Sequence, residues 1–180
     1  MLSGDPYSID ESTLDSREKK ALDRTKKWTD TGRAYALEHS TRTSTIGHVL
    51  ASNPLSLLAW IGEKFLEWSD DSPPLDTILT NISLYWFTEG YPTSLYPYRT
   101  LFALGRKPLP YITKPFGFSF FPVELFPGVK SAAEKAGNLV HYTQHERGGH
   151  FAALEKPSEL WEDVQAFVSE AWKEEHGAKL

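Results

Sequence analysis

The sequence predicts an α/β fold in which a layer of helices comes first and a short run of strands, closed by one long helix, comes last. Three observations carry that expectation. Apolar residues recur at helical spacing from about Leu14 to Trp86 with little strand signal among them. The breaker cluster Gly105-Arg106-Lys107-Pro108-Leu109-Pro110 then marks a change of character. Beyond it, Tyr111-Ile112-Thr113 and Phe116 to Phe121 are rich in strand formers, and a second strand-like run, Asn138 to Thr143, leads through two glycines and a histidine into a helix.

Residues Met1 to Ser12, with Gly4, Pro6 and several Ser and Asp, read as loop. From Leu14 to about Gly32, the positions Leu14, Ala21, Leu22, Thr25 and Trp28 give a helix exposed on one side. Thr43 or Ser44 is expected to cap a short helix through Val49 and Leu50. Asn53 before Pro54 starts a firmer one, because Asn accepts from the first orphan amides and Pro has no amide to leave unpaired. Its face is Leu57, Leu58, Ile61, Phe65 and Trp68. Asp70 to Pro74 is a turn, and a helix from about Leu75 carries Ile78, Leu79, Ile82, Tyr85 and Trp86. Residues 1–33 thus lead into a helical layer at 34–105, with the strand-bearing part at 106–180.

In that last part Pro115 and Gly117 interrupt the first strand, so a short or bulged strand is expected. Pro122 to Pro127 is the turn at its end, Ser131 to Ala136 a brief helix, and Leu139 opens the second strand. The final helix, Pro157 to about Glu174, is expected to bury Leu160, Trp161, Val164, Phe167, Val168, Ala171 and Trp172. Two strands do not make a sheet with a dry core on both faces, so the fold needs more sheet than these residues encode.

With 40% hydrophobic and 24% charged residues in 180, the composition is that of an ordinary globular domain able to bury a core. The formal net charge is −5, and the densest basic cluster, Arg17 to Lys27, alternates with Glu18 and Asp23 as a solvated helix face does. Nucleic acid is therefore not an expected partner. Without cysteine there is no disulfide, no thiolate nucleophile and no Cys-based zinc site. No apolar run approaches the roughly 18 residues of a membrane span, and Met1-Leu2-Ser3-Gly4-Asp5 lacks the pattern of a leader. A soluble, cytoplasmic chain is expected, with microsomal association left open for a longer form.

The residue type best suited to chemistry is His150, in Gly148-Gly149-His150-Phe151-Ala152-Ala153-Leu154-Glu155. Two glycines free the backbone for a tight approach, and a histidine at a loop tip can take and return a proton near neutral pH. Strand, histidine loop and helix is how an α/β-hydrolase ends. His39, His48, His141 and His176 read as packing or surface residues, and His145 with His150 lacks a third ligand, so neither metal nor cofactor is expected. Gly4-Asp5-Pro6 lacks the strand-elbow-helix context of a nucleophile, and Ser119 lacks the second glycine of an elbow.

Four stretches, in order, carry a resemblance over nearly the whole chain: Tyr35-Ala36-Leu37-Glu38-His39-Ser40-Thr41-Arg42, Trp60-Ile61-Gly62-Glu63-Lys64-Phe65, Lys114 to Pro122, and Glu146 to Glu155. Together they resemble the carboxyl half of a microsomal-type epoxide hydrolase, most similar to the fungal branch. The resemblance implies a partial α/β-hydrolase fold: a helical lid, the last two core strands and the final helix, without the first half of the core, its oxyanion loop or its nucleophile Asp. It further implies that His150 activates water, that Glu124 supports His150, and that Tyr35 and Tyr98 donate to the oxygen of an epoxide substrate. Tyr96 is the neighbour most easily confused with Tyr98. Trp60 and Trp86, with Tyr85 and Phe87, are candidates either to line an apolar substrate pocket or, at helical spacing, to pack the core of the lid. Such a chain alone is expected to be inactive, with an exposed core edge that favours self-association. The competing readings are a non-catalytic interaction fragment and an esterase or dehalogenase with another missing nucleophile, for which two phenols have no evident use.

Overall fold

The computed structural model describes residues 9–101 and 110–176. Apart from Pro110, the breaker cluster at 105–110 lies outside the described residues. The chain forms two compact units, one of Met1–Thr25 with Leu109–Leu180 and one of Lys26–Pro108.

The first unit holds the beginning of α1 (Ser16–Thr31), up to Thr25, and that helix starts on a reciprocal cap. The Asp15 carboxylate accepts from the Arg17 and Glu18 amides at 2.7 and 2.8 Å, and Glu18 reaches back to the Asp15 amide at 3.1 Å. The other Asp15 oxygen accepts from the Gln144 amide group at 3.0 Å, so the start of α1 is tied to the strand region. A single 3-10 turn, Glu11–Thr13, precedes it where loop was expected. Its Asp10 side chain accepts from the Ser12 amide, a local bond that fixes one short turn without any periodic signal.

β1 (Ile112–Phe120) and β2 (Gly137–Gln144) pair in parallel and are joined through α8 (Lys130–Ala136). β1 is a continuous strand whose register slips on either side of Phe116, so the Pro115 and Gly117 interruptions appear as bulges and do not break the pairing. Leu14 just before α1, Ala21 of α1, Phe120 of β1 and Val129 before α8 form the buried core, with Phe118 and Tyr142 packed on it. A parallel pair needs such a crossover, and its apolar residues need cover on their faces.

After the short α9 (Ala152–Glu155), α10 (Pro157–His176) runs over both strands. Phe167 lies over Gly117, where a Cβ would come within 3.0 Å of the Phe ring. The expected apolar face of α10 is only partly covered. Leu160 and Phe167 are half-buried, but Trp161, Val164, Val168 and Trp172 are exposed. Among the described side chains of α10, the one buried fully is Asp163, 7% exposed. A two-stranded sheet is too narrow to cover a stripe this wide.

Asp163 accepts from His145 Nε2 at 2.7 Å and from the Ser119 and Thr143 hydroxyls. Burial would raise its pKa, but these bonds, Ser119 first, outweigh burial and hold the carboxyl below its ordinary value. Nearby, His141 bridges Thr143 Oγ1 at 3.0 Å and Glu170 at 3.3 Å. Histidines 141 and 145 are thus clamps between sheet and helix.

The second unit contains α2 (Ala34–Thr41), α3 (Thr43–Ala51), α4 (Pro54–Trp68), α5 (Leu75–Thr88), α6 (Tyr91–Ser94) and α7 (Tyr98–Leu101). Asn53 caps α4 by accepting from the Leu55 amide at 2.8 Å, with Pro54 in the first turn, as its sequence predicts. Thr43 does not cap α3. It is the first residue of that helix, and its hydroxyl donates backward to the His39 carbonyl at 2.5 Å, joining α2 to α3. No described helix is long and apolar enough to cross a membrane.

Replacing Asp163 by Ala strands three donors at the sheet-helix boundary. A loss of about 2–3 kcal/mol is expected in urea unfolding, the range for removing one partner of a buried, hydrogen-bonded charge. A loss well under 1 kcal/mol would show that α10 is held by its apolar contacts alone.

Candidate active site

Glu124 and His150 meet just past the carboxyl ends of the two parallel strands. The pairing Phe120 with Gln144 ends the regular ladder, His145 then donates its amide to the Phe120 carbonyl at 2.9 Å, and a last bridge joins Val123 to Gly149. The next residue on each side is Glu124 and His150. Strand register therefore puts acid and imidazole side by side, and His150 Nδ1 lies 2.8 Å from Glu124 Oε1.

The loop that delivers His150 requires one glycine. Gly148 has a φ of +109°, and a Cβ there would lie 2.6 Å from the Phe121 ring. The Val123 amide donates to the Gly148 carbonyl at 3.1 Å, which fixes this reversal against the end of β1. The Phe121 ring in turn stacks on His145 at 4.5 Å between centroids.

The Glu124 side chain is 27% exposed. Burial would raise its pKa, but the hydrogen bond and charge of His150, with the Leu125 and Phe126 amides, hold it below the ordinary glutamate range. Since a carboxylate only accepts, Nδ1 carries the proton of neutral His150 and Nε2 is its basic nitrogen. Such a pair can remove a proton from water while the carboxylate steadies the imidazolium. Among the described residues, no group of three or more His, Asp or Glu is placed to hold a metal ion.

In the helical unit, Tyr35 of α2 and Tyr98 of α7 come together, with ring centroids 6.0 Å apart and a hydrogen bond between their side chains. Burial, then the neighbouring Tyr98, pushes the Tyr35 phenol up, and burial also raises Tyr98. Both therefore carry their protons at neutral pH. Tyr96 is turned elsewhere: it is 46% exposed, with its hydroxyl 3.3 Å from Ser44 Oγ.

Trp60 joins the phenol cluster, donating its indole N–H to His39 Nε2 at 2.9 Å. The Lys64 ammonium lies 4.7 Å from the Tyr35 ring centroid and 5.7 Å from that of Trp60. Trp86 instead lines a cavity of about 530 Å³ with Leu57, Tyr85, Phe87 and Tyr91. His39 was not singled out by the sequence as part of any site, yet it is four residues from Tyr35 on one helix. That spacing puts the two on a common face.

Parallel strands whose ends present an acid and, from a glycine loop, a histidine define the closing part of an α/β-hydrolase core. No family model matches the chain. The Aspergillus niger epoxide hydrolase structure superposes with a TM-score of 0.87 at 49% identity, covering 96% of this chain and 44% of that one. A Dothistroma septosporum protein, also named as an epoxide hydrolase, is 48% identical over 170 residues, covering 93% of this chain and 40% of its own. Epoxide hydrolase 1 of Sus scrofa is 33% identical over 151 residues, covering 74% of this chain and 33% of its own. The chain is homologous to part of these epoxide hydrolases of the α/β-hydrolase fold and spans less than half the length of these relatives.

Two outcomes are expected of the loop and its acid. Gly148→Ala should cost more than about 1 kcal/mol, through the strained φ and the contact with Phe121, when stability is measured by urea titration. The folded pKa of Glu124 lies below its unfolded value, so its contribution is complete above about pH 4.3 and is lost as pH falls through the folded value. Glu124→Gln should accordingly flatten the acid limb of the stability curve; an unchanged limb would remove Glu124 as its source.

Proposed function

We propose that this chain supplies the water-activating and oxygen-protonating groups of an epoxide hydrolase, which converts epoxides to vicinal diols through an ester intermediate. The observation that carries the reading is the Glu124–His150 hydrogen bond at the strand ends. Tyr35 and Tyr98 select the substrate class, because a strained ether oxygen leaves as a basic alkoxide and needs a proton donor beside it.

The reaction runs in two steps. A carboxylate attacks an epoxide carbon, the carbon–oxygen bond breaks, and a phenol of the Tyr35–Tyr98 pair gives its proton to the leaving oxygen. Water then loses a proton to His150 Nε2 and adds to the ester carbonyl; collapse frees the diol and restores the carboxylate, the imidazolium gives its proton to solvent, and the tyrosinate takes one back from solvent. Glu124 holds His150 in the tautomer that accepts at Nε2 and stabilises the imidazolium. This chain offers no nucleophile in the sequence context that the first step needs. We infer that it is inactive alone and works with the remainder of the core. The open stripe of Trp161, Val164, Val168 and Trp172 supports association with further polypeptide, self-association included.

The test is a chimera in which this chain replaces the matching part of the Aspergillus niger enzyme. Diol formation from an aryl epoxide is expected, and none from the isolated chain. Tyr35→Phe and Tyr98→Phe should slow ring opening by about 10²-fold, within the usual range for a positioned proton donor. His150→Gln should trap the ester, visible as a mass increment on the protein. Turnover by the isolated chain, or ring opening indifferent to both tyrosines, would overturn the reading.

A further inference from the structure

Outside the Glu124–His150 and Tyr35–Tyr98 pairs, the most demanding polar arrangement lies around His39 of α2. Its side chain is 3% exposed and bears two ring nitrogens in a cluster of aromatic rings. Nε2 accepts from the Trp60 indole, which can only donate, so the neutral ring carries its proton on Nδ1. Nδ1 is buried without a hydrogen-bond partner.

The ring stands edge-on to both phenols, 4.6 Å and 84° from Tyr98, and 5.5 Å and 82° from Tyr35. Tyr91 closes another side at 6.4 Å and 76°. Burial, reinforced by the Lys64 ammonium, pushes His39 down to about 4, so the imidazole is neutral at neutral pH. Lys64 is paired with Glu63. A phenylalanine would fill the same volume without desolvating two nitrogens, and a buried polar group of this kind calls for a specific role.

We propose that His39 is a positioning residue for the Tyr35–Tyr98 phenols: the Trp60 N–H holds the imidazole in its Nδ1–H tautomer, and the fixed ring sets how the two tyrosines present their hydroxyls. The role deepens the epoxide reading and rests on it for its purpose, while the geometry stands on its own. One tautomer gives one ring orientation, and perpendicular contacts on both tyrosines pass that orientation to them.

The experiment uses the whole chain labelled with ¹⁵N and ¹³C, comparing wild type, Trp60→Phe, His39→Phe and His39→Gln. At pH 7, long-range ¹H–¹⁵N spectra should show His39 protonated at Nδ1 and not at Nε2. Trp60→Phe should give a mixed tautomer and shift the Cζ resonances of Tyr35 and Tyr98, leaving that of exposed Tyr111 in place. His39→Phe should move the same two resonances, and His39→Gln, which can still accept and donate, should return them toward the wild-type positions. An Nε2–H tautomer in the wild type, or unmoved Tyr35 and Tyr98 signals in folded Trp60→Phe, would overturn the proposal. Trp60→Phe keeps the aromatic face and so provides the readout even where His39→Phe fails to fold. Loss of the tyrosine effect on ring opening would sink the epoxide reading while leaving these spectra unchanged.

Discussion

The acid and imidazole of the candidate active site are placed by the register of two parallel strands. Parallel pairing aligns strand ends that are distant in sequence, and here it continues past the ladder into the bridge of Val123 with Gly149. From that bridge the next residue on each side is the acid and the imidazole. The pair therefore owes its distance to backbone hydrogen bonds, and the side chains complete a placement the main chain has made. Gly148 serves the same end, since its left-handed backbone lets the loop turn tightly against Phe121.

Much of this was legible in the residues themselves. Asn53-Pro54 announces the start of α4 because cap and first turn are set by local bonding, with no tertiary input. The glycine-flanked His150 and the strand formers on either side of α8 likewise declare their local conformation. The resemblance singled out Tyr98 over Tyr96 for its role only; that the Tyr98 ring lies beside Tyr35 is seen from the structure alone. What escaped the reading is what depends on partners. Thr43 looks like a cap by composition, but its hydroxyl bonds to the preceding helix. His39 resembles any packing histidine until its distance from two phenols is known. The short α6 and α7 are single turns with no periodicity to detect.

The final helix shows most clearly where pattern and packing separate. Spacing alone makes Trp161, Val164, Val168 and Trp172 a face to be buried, and they are exposed over a sheet two strands wide. What anchors the helix is polar: Asp163 gathers His145, Ser119 and Thr143 at one point, and Glu170 meets His141 at another. An apolar stripe records what a helix was selected to cover, whereas directional bonds hold it where it lies.

The turn that bears Glu124 has one further tie, from the other end of the sequence. Thr25 of α1 donates its hydroxyl to the Leu125 carbonyl at 2.7 Å, across a separation of 100 residues, and the start of α1 is fastened to Gln144 across 129. During synthesis on the ribosome, α1 emerges long before either counterpart and must wait for them. The turn that carries the acid is thus held by a contact closing a loop of 100 residues, the non-local kind whose closure entropy slows folding.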